Sequence, residues 1–348
     1  MNDEFFVDYT EMDDFQRRLI DRKINKAMVV TGSAGSGKSV VALHKAKQVA
    51  SMTNDYAIVV FTKTLRRYFE DGMKQLDLRN VFHYHKWTKQ RVKFLIVDEI
   101  QDFSQSEVTE MLKCAEICFF FGDTAQSIMA FKEGGTQSVA TTAQMMNVDA
   151  DKLYWNYRLT IENAIVTGNV IGDDGELAAC CKRHGEKPKL INLPSFDAQL
   201  DEIIRIVNNR SLTSVGILMP FNTKDKASKS SIHDSKLSVE YVHQYLLEKG
   251  VPNEFKYNAN QDTEMDINFH SSIPKVMTWH SAKGLQFKDV FVPGCGCYID
   301  EEDRRKSLFV AITRSSERLY ILHSDKLSNF FDHVKPECWD LSDEVEDI

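Results

Sequence analysis

The chain has 348 residues, enough for two domains of roughly 100–200 residues each. Hydrophobic residues make up 43% and charged residues 27%, the balance of an ordinary globular protein. The formal net charge of −8 excludes a uniformly basic surface, so any nucleic-acid site must be a local basic patch on an acidic body. No apolar run reaches the ~20 residues that cross a bilayer. The opening MNDEFFVDYTEMDD is acidic, unlike a secretory signal or an Arg-rich transit peptide, and the chain is read as cytoplasmic. The cysteines at 114, 118, 180, 181, 295, 297 and 338 match no standard zinc spacing. Cys114 and Cys118 are read as a buried thiol pair.

Along the first half, short apolar runs alternate with helix-like segments. The runs are AMVVTG from Ala27, YAIVVFT from Tyr56, FLIVDE from Phe94 and ICFFFGD from Ile117. Between them lie charged amphipathic stretches such as Lys38–Ala50 and Leu65–Gln75. Continuous apolar runs separated by helices predict buried parallel strands in an α/β layer fold. The pattern pauses over the polar stretch Asn169–Lys189. It resumes with KLINL, VGILMP, KVMTWH, DVFVPG and RLYILH, which predicts a second α/β half. The domains are placed at 1–165 and 166–335, followed by an acidic tail over 336–348.

Gly32, Ser33, Ala34, Gly35, Ser36, Gly37, Lys38 and Ser39 fit G-x-x-x-x-G-K-[ST], after an apolar strand and before a helix. The glycines let backbone N–H groups line one concavity around phosphate oxygens. Lys38 is expected on the β- and γ-phosphates and Ser39 on Mg²⁺, with favourable partial charge from the helix N-terminus. FLIVDEIQD puts Asp98 and Glu99 at the end of another apolar strand. Asp98 is assigned to the metal and Glu99 to the general base that activates water. The expected cofactors are ATP and Mg²⁺.

The remaining blocks decide what kind of phosphate-loop protein this is. In order they are FTKTLRRYF at Phe61, DEIQD at Asp98, FGDTAQSIMAF at Phe121, NYR at Asn156, TWHSAKGLQF at Thr278 and FVAITRSSERLYI at Phe309. The series, from about Asp14 to Leu322, closely resembles superfamily 1 helicases of the UvrD/Rep type. The resemblance implies two RecA-like domains with mostly parallel sheets and an interdomain ATP cleft. It implies that Gln16 reads adenine, Tyr157 stacks on the base, Gln126 senses the γ-phosphate, and Arg158 and Arg314 grip it. Gly284 is carried over as a nucleotide-binding position. An arginine on the γ-phosphate has a clear physical task, because a guanidinium stabilises charge spread over the phosphoryl oxygens. The resemblance places Phe61 and Phe131 as stacking aromatics, and Thr62, His85, Thr278, His280 and Lys283 on the nucleic-acid backbone. Gln286 stands where the family usually has glutamate.

The implied function is ATP-dependent translocation on single-stranded DNA, with RNA kept open, 3′→5′ as in UvrD/Rep enzymes. About 60 residues separate Lys38 from Asp98 and about 120 separate Arg158 from Thr278, too few for the accessory domains of the large enzymes. A protein partner, such as a nuclease or another DNA-processing subunit, is therefore expected. Two other readings account for less of the sequence. A nucleotide-gated binding switch would not need the complete hydrolytic set. A small-molecule kinase leaves TWHSAKG and AITR unexplained.

Overall fold

The computed structural model describes residues 7–61, 78–123, 138–256, 267–268, 271–296 and 302–341. The chain divides into two units, Met1–Tyr157 and Arg158–Ile348.

The first unit contains helix α1 (Asp14–Asp21), strand β1 (Met28–Gly32), α2 (Lys38–Ala50), β2 (Tyr56–Val60), β3 (Val81–His83) and β4 (Val92–Val97). After these come α3 (Gln105–Lys113), β5 (Ala115–Gly122), α4 (Val139–Met145) and β6 (Ala150–Leu153). The sheet order is β3-β2-β4-β5-β1-β6, and every pairing is parallel. The predicted apolar runs form its central strands. Side chains alternate between the two faces of a strand. Val30, Ile58, Ile96 and Phe119 therefore pack with α1 and α2, and Val29, Val59, Leu95 and Phe120 pack with α3 and α4. Both faces are covered, which is why these strands read as continuous apolar runs. Strands β3 and β6 are edge strands that the apolar pattern does not announce. The Leu65–Gln75 segment lies outside the described residues.

Two local devices fix α1 beside the phosphate loop. Asp13 and Gln16 form a reciprocal capping box at its start. At its end, the buried Lys45 ammonium of α2 donates to the carbonyls of Ile20 (2.6 Å) and Arg22 (2.5 Å), and burial draws its pKa down to about 8.

The second unit begins within β7 (Asn156–Thr160), which pairs with β8 (Cys181–Arg183) in a two-stranded ribbon. Helices α5 (Ile161–Ile171) and α6 (Glu176–Ala179) lie between them in sequence, so the polar pause contains short structured pieces. The main sheet is built from β9 (Lys189–Asn192), β10 (Val215–Met219), β11 (Glu254–Lys256), β12 (Lys275–Thr278), β13 (Phe287–Val292) and β14 (Ser315–His323). Its order is β11-β12-β10-β13-β14-β9, again parallel throughout. Helices α7 (Phe196–Asn209), α8 (Lys224–Lys229), α9 (Val239–Glu248) and α10 (Glu302–Ile312) complete the unit. Leu200, Ile203 and Ile206 of α7 and Val242 and Leu246 of α9 pack on Ile217, Val276, Phe291 and Leu322. Among the described residues no helix is long and apolar enough to cross a membrane.

Candidate nucleotide and nucleic-acid site

In a parallel sheet all strands end at the same edge, and ligands bind outside those carboxyl ends. In the first unit that edge carries the phosphate loop after β1, Asp98 and Glu99 after β4, and Asp123 after β5. Gly35 (φ 82°) and Gly37 (φ 85°) sit in left-handed backbone that favours glycine. A Cβ on Gly37 would lie 2.2 Å from Gln16 Nε2, so glycine also makes room for that carboxamide.

Three successive loop carbonyls are tied from outside. Asn156 Nδ2 donates to Ala34 O (2.6 Å), Tyr157 N–H to Gly35 O (2.9 Å) and Gln16 Nε2 to Ser36 O (3.2 Å). Lys38 Nζ donates to Gly32 O (2.7 Å) and Ser33 O (2.9 Å). The hydroxyls of Ser33 and Ser36 are buried and lack a hydrogen-bond partner among the described residues. Such groups are costly unless paired, and phosphate oxygens are suitable acceptors for them. The residues present therefore fit a nucleotide polyphosphate.

Ser39 Oγ donates to Asp98 Oδ2 (2.6 Å), and Glu99 N–H donates to Asp98 Oδ1 (3.0 Å). Burial, then the neighbouring Glu99, pushes the Asp98 carboxyl up to about 6 against the opposing pull of Ser39 and Lys38. A hydroxyl and a carboxylate in contact beside a phosphate loop are a suitable oxygen donor set for Mg²⁺. The raised pKa has a stability consequence. A carboxyl raised from 3.8 to about 6 on folding costs nothing below pH 4 and its full amount above pH 6. Asp98→Asn is isosteric, so without nucleotide it should melt higher than wild type at pH 8, by on the order of 2 kcal/mol of stability. The gain should shrink as the pH falls through 6 and vanish only below about pH 4. Equal melting temperatures at pH 8 would show that the charge is well tolerated there.

Glu99 has φ 58° and ψ 45°, left-handed backbone that is uncommon outside glycine. Its carboxylate accepts from Gln101 Nε2 at 2.5 Å. On the base side, the Tyr157 hydroxyl donates to Asp13 Oδ2, the residue that caps α1, and the ring is 38% exposed. Gln16 and Tyr157 thus flank the loop through direct bonds. Exposed Phe15 and Tyr154 lie nearby in sequence, with ring centroids 5.5 Å apart.

In the second unit, Thr278 ends β12 and its hydroxyl accepts from Ser281 N–H (3.1 Å) at the start of the SAKG turn. Trp279 is a core residue whose Nε1 donates to Leu218 O (3.1 Å). Lys283 is buried and His280 half-buried. Burial, then Lys283, lowers the His280 pKa and so favours the neutral ring. Gly284 occupies left-handed backbone at φ 82°. Gln286 Oε1 accepts from Arg158 Nε (3.0 Å), so the NYR and GLQF blocks meet through this departure from the family pattern. Arg314 is 1% exposed, and its guanidinium donates to Val310 O (2.8 Å), Leu285 O (3.3 Å) and Thr313 Oγ1 (2.8 Å).

Of the expected nucleic-acid contacts in the first unit, His85 is exposed on the turn after β3. Phe61 is 8% exposed and meets Phe103 edge-on with centroids 5.2 Å apart, so in this structure it is a core ring. Thr62, Gln126 and Phe131 lie outside the described residues, as does Cys297. Cys118 is buried and Cys114 half-buried.

A family model described as the viral superfamily 1 RNA helicase core domain matches residues 28–203, half of the chain. A second, the UvrD-like helicase C-terminal domain, matches residues 275–322. The chain belongs to the superfamily 1 helicases. Its relatives include a probable DNA helicase II homolog of Rickettsia conorii, 34% identical over 84 residues, which are 20% of this chain and 13% of that protein. ATP-dependent DNA helicase PcrA of Staphylococcus aureus is 24% identical over 135 residues, 31% of this chain and 18% of that protein. The chain thus spans less than a fifth of the length of these curated relatives. The arterivirus nonstructural protein 10 helicase aligns over 88% of this chain and 61% of its own at 15% identity, with a TM-score of 0.43.

Asp13, Asn156 and Gln101 join the candidate site in the structure without a role assigned to them from the sequence. Asp13 follows from the capping-box pattern D-x-x-Q, and Asn156 opens a recognised block. Gln101 lies inside DEIQD and carries no charge to mark it.

Proposed function

We propose that this helicase is an ATP-driven motor that moves 3′→5′ along single-stranded DNA and separates duplex with the help of a protein partner. The observation that carries the reading is the joining of Lys38, the Ser39–Asp98 pair and Glu99 at one sheet edge. The loop would bind the triphosphate, with Lys38 exchanging the Gly32 and Ser33 carbonyls for phosphate oxygens. Ser39 and Asp98 would hold Mg²⁺, which screens phosphate charge when bound. Glu99 takes the proton of the attacking water. Arg158 and Arg314 supply charge for the γ-phosphoryl oxygens, which requires Arg314 to leave its present carbonyl partners. DNA as the track is supported by the relatives described above, which are named as DNA helicases. The direction rests on the UvrD/Rep resemblance, and the partner on the two short inter-motif intervals.

Single-stranded DNA should raise the ATPase rate with weak sequence preference, and the effect should fall steeply with salt. On a tailed duplex under single-turnover conditions, ATP use should outrun strand separation. Each base-pair step costs about 1.4 kcal/mol of stacking, and the two short inter-motif intervals leave no room there for a domain that would keep the strands apart. Stimulation by RNA with none by DNA would overturn the track. Movement 5′→3′ would overturn the direction, and processive unwinding by the purified chain would overturn the partner.

A further inference from the structure

We infer that Gln101 is a positioning residue for hydrolysis, one whose buried carboxamide aims the Glu99 carboxylate and ties it to the end of β5 at Asp123. The inference rests on the reading of Glu99 as the base. Gln101 is fully buried, and both ends of its amide are engaged. Nε2 donates to Glu99 Oε2 at 2.5 Å, and Oε1 accepts from Asp123 N–H at 2.9 Å. The bridge joins the turn after β4 to the exit of the neighbouring strand β5.

Packing around the bridge is specific. A Cβ on Gly122 would lie 2.6 Å from Gln101 Oε1 and 2.6 Å from Ile100 Cγ2, so the glycine is what lets the amide reach β5. Glu99 holds a left-handed backbone conformation that persists in a non-glycine residue only where its surroundings enforce it. The side chain of Glu99 is thus steered from its backbone and from Gln101 together.

The chemistry calls for an amide. A carboxamide presents a fixed donor and a fixed acceptor and does not titrate, so it can bridge a carboxylate and a backbone N–H at any working pH. A carboxylate at position 101 would accept from Asp123 but repel Glu99. An asparagine has the right groups on a stem one methylene too short. A base held in one orientation does not have to find it during each turnover.

The test is a double-mutant cycle on the full chain, with ATP turnover and affinity for a fluorescent ATP analogue measured separately. Gln101→Met conserves volume and removes both bonds. It should lower kcat by about 10²-fold, on the scale of a misaligned general base, while analogue affinity stays within about threefold of wild type. In the Glu99→Gln background it should lower the residual rate no further, because the group it positions is gone. Gln101→Asn should show the same split and gives the reading if the methionine variant does not fold. Wild-type kcat in both Gln101 variants, beside an inactive Glu99→Gln, would overturn the role of Gln101 alone. Losses that multiply in the double variant, or analogue binding that falls in step with kcat, would also overturn it by showing a merely structural part. Wild-type turnover in Glu99→Gln would overturn the base assignment, and this inference with it.

Discussion

Glu99→Gln should bind ATP at close to wild-type affinity and lose turnover by about 10²–10⁴-fold, the contribution of a well-placed general base. The substitution leaves the size and shape of the side chain in place. A carboxamide is as large as the carboxylate, and its oxygen can still accept from Gln101 Nε2, as Glu99 Oε2 does at 2.5 Å. Backbone strain at φ 58° is unchanged by a residue of the same branching. The capacity to take a proton is removed, together with the negative charge beside Asp98. On the proposed reading, nucleotide binding draws instead on the phosphate loop, Lys38 and the base-side pair Gln16 and Tyr157. Steady-state ATPase and analogue titration on the same preparation decide the matter. Wild-type turnover would remove Glu99 from the base role, and a matching fall in affinity would make it a binding residue.

Arg158→Ala and Arg314→Ala should each slow hydrolysis severely, by up to the ~10³–10⁵ of an arginine finger, with smaller effects on nucleotide binding. Their stability effects should differ. Arg158 is half-buried and holds the Gln286 carboxamide and, at 3.4 Å, the Thr313 carbonyl, so its loss should barely move the melting temperature. Arg314 is buried against the carbonyls of Val310 and Leu285, and truncation strands those acceptors at about 1–3 kcal/mol for a buried unsatisfied group. Thermal denaturation beside ATPase assays separates the effects. An Arg158→Ala enzyme within tenfold of wild-type kcat would exclude it as a finger, because no folding defect can mask the result.

The central strands of both sheets were legible because they are buried on both faces and so read as unbroken apolar runs, AMVV, YAIVV, FLIV and ICFFF in the first unit. Three of the four edge strands were not, whereas the fourth, Lys189–Asn192, falls in the KLINL run. Val81–His83, Ala150–Leu153 and Glu254–Lys256 are three or four residues long and mix charged or polar side chains with apolar ones, as edge strands do. The phosphate loop and the Asp98–Glu99 pair were legible because their chemistry demands particular residue types at fixed spacing. What supports them was less so. Lys45 looks in sequence like one more helix-surface lysine, yet it is buried and ties α2 to the end of α1. Gln101 is silent for a similar reason: a neutral amide announces neither charge nor burial, and its partners, Glu99 and Asp123, are brought together only by strand order. Phe61 shows the opposite limit. An aromatic at a strand tip reads equally well as a stacking platform or a core ring, and here its neighbour Phe103, over forty positions on, decides its surroundings.

The division of the chain at Tyr157 and Arg158 bears on its modularity. By sheet membership the first unit is complete at Leu153, where its sixth strand ends. A polypeptide cut there would have every strand and still lack Asn156 and Tyr157, which hold the Ala34 and Gly35 carbonyls of the phosphate loop. The next residue, Arg158, already answers to Gln286 and Thr313 of the second unit. A chimera that exchanges second units between related motors therefore has a one-peptide window for its junction. A seam placed earlier robs the loop of its braces. A seam placed later carries a foreign Gln286 position against a native arginine.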